Sequence, residues 1–216
     1  MTLILYAIPP SLYSAKTRIV LRAKGISWEE RHPEGGYSNP EFQAEFPAGT
    51  LPAIDHDGFK LSDSEAINEY LNEIKASPAL WPLGIRDRAQ ARFLSRFHDT
   101  RLEPAVRALF GHVDPAKRDA GFVATQVGVI NTRLEQMSLL IDPKPLLTGD
   151  QLSLADCGYP ITFTFLELLN EPMALNVRWP EKVARYRDNL KVNAHIATEL
   201  ETYAPALGGW ISSVIK

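Results

Sequence analysis

The pattern of hydrophobic and polar positions divides the chain into two parts. In the first part, short apolar runs typical of buried strands alternate with stretches whose apolar residues recur at helical spacing. In the second part only helical spacing recurs, and the stretch between them, residues 77–85, holds two prolines and a glycine. The pattern therefore predicts an α/β domain of order βαβαββα over residues 1–76, a linker over 77–85 and an all-helical domain over 86–216.

Local signals define the elements of the first domain. Asp57 and Gly58 favour a tight hairpin because both residue types tolerate positive φ. Ser62 and Glu65 have the spacing of a capping box, and a helix that starts this way presents free N–H groups to an anion. The predicted elements are a strand at 3–6, a helix from Ser14 to Gly25, a strand at 26–31, a short helix at 40–46, the hairpin and a helix after Ser62.

The second domain is predicted to consist of helices at 87–110, 115–140, 153–169, 176–190 and 192–203. Pro104 and Gly128 are possible interruptions of the first two helices. Ser153 and Asp156 form a second capping box, with aspartate in place of glutamate. Pro160 falls inside the third predicted helix, where it should produce a kink.

Composition limits the classes of function. The formal net charge of −3 gives no reason to expect nucleic-acid binding. The single cysteine, Cys157, excludes an internal disulfide and gives no sign of an oxidising compartment. The N-terminal apolar run stops at Pro9, too early for a signal peptide or a membrane span. We therefore expect a cytoplasmic protein without a membrane or nucleic-acid partner.

Three short segments resemble signature segments of one family. Residues 49–52 (GTLP) resemble the turn before its cis-proline, residues 63–67 (DSEAI) its acidic-Ser-x-Ala-Ile motif, and residues 149–156 (GDQLSLAD) the capping segment of its helical domain. Because the three segments occur in the order and spacing of that family, the chain resembles a cytosolic glutathione transferase. The class it resembles is a serine-type one: theta-like, zeta-like or bacterial. The resemblance implies a thioredoxin-like domain followed by an all-helical domain that contributes the electrophile pocket, with glutathione as co-substrate, and a homodimer.

The resemblance also implies where glutathione binds. Asp63 would accept from the γ-glutamyl amino group, and Ser64 would donate to the γ-glutamyl carboxylate. Leu51 would pair through its backbone with the cysteinyl part, provided that the Leu51-Pro52 bond is cis. Thr50 completes the predicted glutathione-binding set.

Activation of the glutathione thiol requires a hydrogen-bond donor between the first strand and the first helix. Lowering the thiol pKa by about 2 units takes roughly 2.7 kcal/mol, which one hydroxyl hydrogen bond of about 1.5–3 kcal/mol could supply. Tyr6, Ser11, Tyr13 and Ser14 all qualify by position. Ser11 is the predicted catalytic residue, because it lies in the loop before the helix, where serine-type members of the resembled family carry theirs. Tyr6 and Ser14 remain alternatives, and Ser14 is also predicted to cap the helix.

The partner of the glycyl carboxylate is not defined by the sequence. The resembled family has cationic positions on the loop before the cis-proline, where this chain has Gly49 and Thr50. Arg31 and His32 are upstream candidates, although a solvated loop charge would explain both equally well.

The predicted function is that of a glutathione transferase, in which the activated thiol attacks a small electrophile. The alternative is a binding or regulatory protein of the same fold with little turnover. A disulfide reductase is a weaker third hypothesis, because the single cysteine lies in the helical domain. No metal is expected, since the chain has no Cys-x-x-Cys motif and its histidines lack metal-ligand spacing.

Overall fold

The computed structural model describes residues 2–215, which form two compact units that divide after Leu80. The first unit combines a sheet with helices. Its elements are β1 (Leu3–Tyr6), α1 (Leu12–Lys24), β2 (Glu29–Arg31), α2 (Pro40–Glu45), β3 (Ala53–His56), β4 (Phe59–Ser62) and α3 (Ser64–Ile74). This is the predicted order βαβαββα.

The four strands form one mixed sheet in the order β2-β1-β3-β4. β1 runs parallel to β2 and antiparallel to β3, and β3 and β4 form an antiparallel hairpin. The register pairs Tyr6 with Ala53 and Ala53 with Ser62. The end of β1, the start of β3 and the end of β4 therefore lie side by side at one edge of the sheet.

Two of the predicted turns are confirmed. The β3-β4 hairpin turns at Asp57 and Gly58, whose φ values of 52° and 91° are the positive values that a type I′ turn requires. Gly25 follows α1 in the left-handed conformation, and its N–H donates to the carbonyls of the last turn. β2 is shorter than predicted, because the N–H of Ile26 still bonds to the Leu21 carbonyl of the helix.

α1 and α3 run side by side in the same direction. Near their N-terminal ends, Lys16 Nζ lies 2.6 Å from Glu65 Oε2, and both groups are largely buried. Near their C-terminal ends, Lys24 Nζ lies 3.3 Å from the backbone carbonyl of Asn72 and 3.1 Å from its side-chain oxygen. Contacts at corresponding ends fix the two helices as a parallel pair.

The C-terminal ends of this pair carry a reciprocal pair of lysine caps. Lys24 donates to a carbonyl in the last turn of α3, and Lys75 Nζ donates to the Gly25 carbonyl just after α1, at 2.8 Å. Lys24 is 1% exposed and also donates to the Pro78 carbonyl. Burial lowers the pKa of Lys24, and the nearby charge of Lys75 lowers it further. The ammonium groups complement the negative ends of both helix dipoles.

The second unit, from Trp81 onward, is helical. Its α-helices are α4 (Ile85–Phe97), α5 (Glu103–Arg107), α6 (Ala120–Leu140), α7 (Tyr159–Asn170), α8 (Glu181–Val192) and α9 (Ala194–Val214). A π-helical turn, His98–Leu102, separates α4 from α5, and short 3₁₀ turns precede α6 and α7. Within residues 2–215 we find no helix that combines the length and apolarity needed to span a membrane.

The breaks and kinks predicted for the helices of this unit differ from those in the structure. Pro160 occupies the first turn of α7, where its missing N–H costs no helical hydrogen bond, so the kink predicted for a helix interior is absent from the described chain. Pro104 likewise lies in the first turn of α5. α6 continues through Gly128 without the predicted break. The proline inside a described helix is Pro205, in α9.

The predicted capping box of Ser153 and Asp156 is confirmed and belongs to a larger buried network. One carboxylate oxygen of Asp156 accepts from the Ser153 N–H at 3.0 Å and from the Ser153 hydroxyl at 2.6 Å. The other accepts from the Leu147 N–H at 3.0 Å and from the Tyr186 hydroxyl at 2.8 Å. Burial raises the pKa of Asp156, although all four donors act in the opposite direction.

Candidate functional site

The predicted site residues follow or precede the strand ends that share one edge of the sheet. Ser11 comes five residues after the end of β1, and Leu51-Pro52 leads directly into β3. Asp63 and Ser64 follow directly after the end of β4. Because Tyr6, Ala53 and Ser62 are register partners, the sheet itself brings these three segments to one place.

The Leu51-Pro52 peptide bond is cis, which confirms the implication of the resemblance. The Leu51 side chain packs against a cluster built on Phe42, Phe46 and Ala53, which holds the segment against α2. In the described part of the chain, the N–H and C=O of Leu51 pair with no other backbone group. They are thus available to an extended ligand that adds on as a strand.

Asp63, rather than the predicted Ser62, is the N-cap of α3. Its Oδ1 accepts from the N–H groups of Glu65 and Ala66, each at 3.0 Å. Ser62 is unavailable because it is the last residue of β4, paired with Ala53. The predicted Ser62–Glu65 capping box is therefore wrong, and the Glu65 carboxylate instead bonds Lys16.

The backbone of Asp63 is strained. Its φ of 80° and ψ of 120° are unusual for a residue other than glycine. Such a conformation costs about 1–3 kcal/mol and tends to persist where the surrounding structure needs it for function. Here it exposes the Asp63 carboxylate while one of its oxygens caps the helix.

Ser64 is the first residue of α3 and is largely buried. Among residues 2–215, neither its N–H nor its hydroxyl has a protein hydrogen-bond partner. Two donors at the positive end of a helix dipole form an arrangement that favours a carboxylate. Asp63 and Ser64 thus offer an acceptor for an ammonium group and donors for a carboxylate next to each other.

Ser11 is the N-cap of α1, so the prediction that Ser14 caps this helix is wrong. The Ser11 Oγ lies 3.3 Å from the Ser14 N–H and 2.9 Å from the Ser14 Oγ. It accepts from both, which leaves its own proton free to donate outward. Ser11 is partly exposed, whereas Ser14 is fully buried, so Ser11 is the better placed of the two to reach a ligand.

Tyr6 takes part in an aromatic cluster. Its ring centroid lies 5.6 Å from that of Phe42 and 5.1 Å from that of Phe46. Its hydroxyl hydrogen-bonds Arg31, whose pKa is raised mainly by the Glu29 carboxylate and to a smaller extent by Tyr6. These contacts describe a packing residue at the site edge, as expected for a tyrosine that ends a strand.

The upstream candidates for the glycyl carboxylate already have partners. Arg31 Nε lies 2.7 Å from Glu29 Oε1, and His32 Nδ1 lies 2.6 Å from the Ala7 carbonyl oxygen. Both interactions are made within the first unit. In the described residues, no group of three or more His, Cys, Asp or Glu side chains could hold a metal ion.

Residues 5–79 match the family model described as glutathione S-transferase, N-terminal domain. Over its first unit the chain is therefore similar to the glutathione S-transferase family. One relative of the chain is the probable glutathione S-transferase GSTU6 of Oryza sativa subsp. japonica. It is 28% identical over 169 residues, which cover 74% of this chain and 71% of the relative. The maleylacetoacetate isomerase of Rattus norvegicus is 34% identical over 106 residues, 47% of this chain and 49% of that protein.

A solved structure extends the likeness to the helical unit. The Tau class glutathione S-transferase of mango, Mangifera indica, superimposes with a TM-score of 0.82 at 18% sequence identity. The match covers 99% of this chain and 98% of that one. At this level of identity the comparison establishes the fold of both units and nothing beyond the fold.

Sequence reasoning missed a residue that supports the Ser11 loop. Arg18 is 6% exposed, and its guanidinium lies 3.3 Å from the Pro9 carbonyl oxygen and 3.2 Å from Glu30 Oε1. It thereby ties the loop that carries Ser11 to the helix that follows. An arginine among the apolar residues of α1 was the available signal, because a buried guanidinium needs partners.

Proposed function

We propose that this protein is a cytoplasmic glutathione transferase that activates the thiol of glutathione for attack on a small electrophile. Glutathione is the co-substrate, with Asp63 and Ser64 at its γ-glutamyl end and the Leu51 backbone at its cysteinyl part. Ser11 donates to the sulfur and stabilises the thiolate. The observation that carries the proposal is the convergence of these segments at one edge of the sheet through the Tyr6–Ala53–Ser62 register.

The geometry supports a division of tasks between two helix N-termini. α1 and α3 point their positive ends in the same direction, as their end-to-end contacts require. The α3 end faces the γ-glutamyl carboxylate, and the α1 end faces the thiolate through its cap, Ser11. Each dipole contributes about 0.3–1 kcal/mol to the stabilisation of a nearby anion.

Asp63→Asn is expected to raise the KM for glutathione about tenfold, because an amide replaces the carboxylate that pairs with the amino group. Asparagine caps helices as well as aspartate and tolerates positive φ, so α3 should remain intact. The measurement is steady-state conjugation of a generic aryl halide at varied glutathione concentration.

Asp119→Asn is the matched control, because Asp119 also caps a helix, α6, in the other unit. It should leave the KM unchanged. An unchanged KM in Asp63→Asn would remove Asp63 from the site. If the wild type bound glutathione without turning over any electrophile, the alternative of a binding or regulatory protein would replace the enzyme.

We also propose that the protein is a homodimer. An exposed apolar patch on the first unit supports this. Phe59 is 49% exposed on the edge strand β4, and its ring centroid lies 5.1 Å from that of Tyr70 on α3. Ile74, 43% exposed, is one helical turn beyond Tyr70 on the same face.

Phe59→Asp is expected to convert the dimer to a monomer at micromolar concentration, because it places a charge in an apolar interface. Light scattering coupled to size-exclusion chromatography measures the mass. Phe122→Asp, at a residue of 37% exposure on α6, is the control and should remain dimeric. A wild type that elutes as a monomer would refute the proposed dimer.

A further inference from the structure

Gln43 of α2 occupies the position beside the cis-proline loop that a side chain on Gly49 would otherwise take. A β-carbon on Gly49 would come within 2.7 Å of Gln43 Nε2 and within 3.4 Å of its amide carbon. Gly49 also has a φ of 56°, which disfavours any larger residue. The amide of Gln43 is therefore a polar group that α2 presents to this loop, beside Phe42 of the apolar cluster against which Leu51 packs.

The direction of the ligand, taken from the proposed function, brings its glycyl end to this amide. An extended peptide that pairs with Leu51 runs along the segment before β3. Its γ-glutamyl end lies toward Asp63. Asp63 comes directly after Ser62, which is the strand partner of Ala53. Its other end must then pass Thr50 and reach Gly49.

Two neutral donors are available at that end. Gln43 and Thr50 are both exposed, and within residues 2–215 neither side chain has a protein hydrogen-bond partner. An amide N–H and a hydroxyl can each donate to a carbonyl or a carboxylate oxygen. Neither donor carries a positive charge, so neither adds an ion pair to the preference for a carboxylate over an ester.

Cations of the first unit are already engaged elsewhere. Every lysine and arginine in residues 2–80 contacts another group of the same unit: Lys16, Arg18, Arg22, Lys24, Arg31, Lys60 and Lys75. α2 itself carries only acidic charges, Glu41 and Glu45. The charge near Gly49 therefore does not favour an additional carboxylate.

We propose that Gln43, together with Thr50, holds the C-terminal residue of the thiol substrate through neutral hydrogen bonds, so that the enzyme also accepts γ-glutamyl-cysteinyl thiols whose C-terminal carboxylate is neutralised. The chemical class includes esters and amides of glutathione at the glycyl end. This inference rests on the proposed glutathione transferase function.

The test compares glutathione, its glycyl ethyl ester and γ-glutamylcysteine as thiol substrates with one aryl halide. For the wild type, kcat/KM with the ester should lie within about twofold of that with glutathione.

Gln43→Ala should raise the KM for glutathione and for the ester about fivefold, because one hydrogen bond to the glycyl end is lost. It should leave the KM for γ-glutamylcysteine, which has no glycyl residue, unchanged. Gln43→Lys should lower the KM for glutathione about threefold and not that for the ester, because it adds one exposed ion pair.

Gln90→Ala, an exposed glutamine on α4 of the other unit, is the matched control and should change no KM. A wild type that prefers glutathione over its ester by more than tenfold would overturn the inference. So would a Gln43→Ala variant that affects all three thiols equally or none of them. Failure of the proposed function looks different, because the wild type would then turn over none of the three thiols.

Discussion

Ser11→Gly is expected to lower kcat/KM for glutathione about 10- to 100-fold at neutral pH and to raise the pKa of the bound thiol by about 1 to 2 units. The reason is the loss of the Ser11 hydroxyl, which is partly exposed at the N-terminus of α1 and has its proton free to donate. The bound thiol pKa is measured from the ultraviolet absorbance of the thiolate across a pH series. The rate is measured by conjugation of an aryl halide.

Glycine is the chosen replacement because it separates capping from chemistry. Glycine at an N-cap costs only a few tenths of a kcal/mol relative to serine, whereas alanine costs about 1 kcal/mol. Ser11→Thr keeps both the cap and the hydroxyl and should retain most of the activity. Ser14→Ala removes only the hydroxyl that donates to Ser11 and should lower kcat/KM about two- to threefold.

The alternative donor is tested by Tyr6→Phe, which should leave the thiol pKa unchanged. The Tyr6 ring would stay packed against Phe42 and Phe46, because only the hydroxyl is removed. The role of Ser11 would be excluded if the thiol pKa stayed low in Ser11→Gly and rose in Tyr6→Phe.

Asp156→Ala is expected to lower the free energy of unfolding by about 3–5 kcal/mol, the largest stability effect that we expect for one side chain. It would leave the Leu147 and Ser153 N–H groups and the Tyr186 hydroxyl without their shared acceptor in the interior. The measurement is urea denaturation followed by circular dichroism. Tyr186→Phe, which removes one donor and leaves the carboxylate in place, should cost only about 1 kcal/mol.

The same carboxyl predicts a pH dependence. Burial raises the pKa of Asp156 in the native state above 3.8, the usual value, which the unfolded state retains. At any pH between the unfolded and the native pKa, the native state keeps a proton that the unfolded state has lost. Stability from this group therefore falls as pH rises through that interval and is constant above it. Relative to Asp156→Asn, the wild type should lose stability as pH rises through the interval. A constant difference between the two proteins across the acid range would contradict this assignment.

Local chemistry was enough to predict the elements that depend on one or two residues. Gly25 ends α1, and Asp57-Gly58 turns the hairpin, because a positive φ is needed there and only a few residue types provide it. Ser153 and Asp156 cap as predicted, because their partners lie three residues apart. In each case the energetic reason for the structure is contained in the segment itself.

The two wrong predictions of helix caps arose where two nearby residues could do the same task. Both Ser62 and Asp63 can cap a helix, and the choice between them is made by β3, which takes Ser62 into the sheet. Ser11 and Ser14 compete in the same way at α1. The choice at α3 depends on strand register, which a one-dimensional pattern does not contain.

The assembly of the site could be predicted only in part. Asp63 and Ser64 were named as candidates from their motif, and Ser11 from its position before the helix, and their roles at the site stay predictions. Gln43 was missed, because its relevance depends on the path of the loop that brings Gly49 against it. A glutamine on a short helix carries no signal of its own.

The lysine caps of α1 and α3 give these helices a fixed longitudinal offset. A slide of one helix past the other by a single residue would change that offset by about 1.5 Å. The relative positions of the N-termini of α1 and α3, where the proposed function places glutathione, would then change by the same amount. Lys24 and Lys75, at the opposite ends of the helices, therefore help to fix the relative positions of these two N-termini.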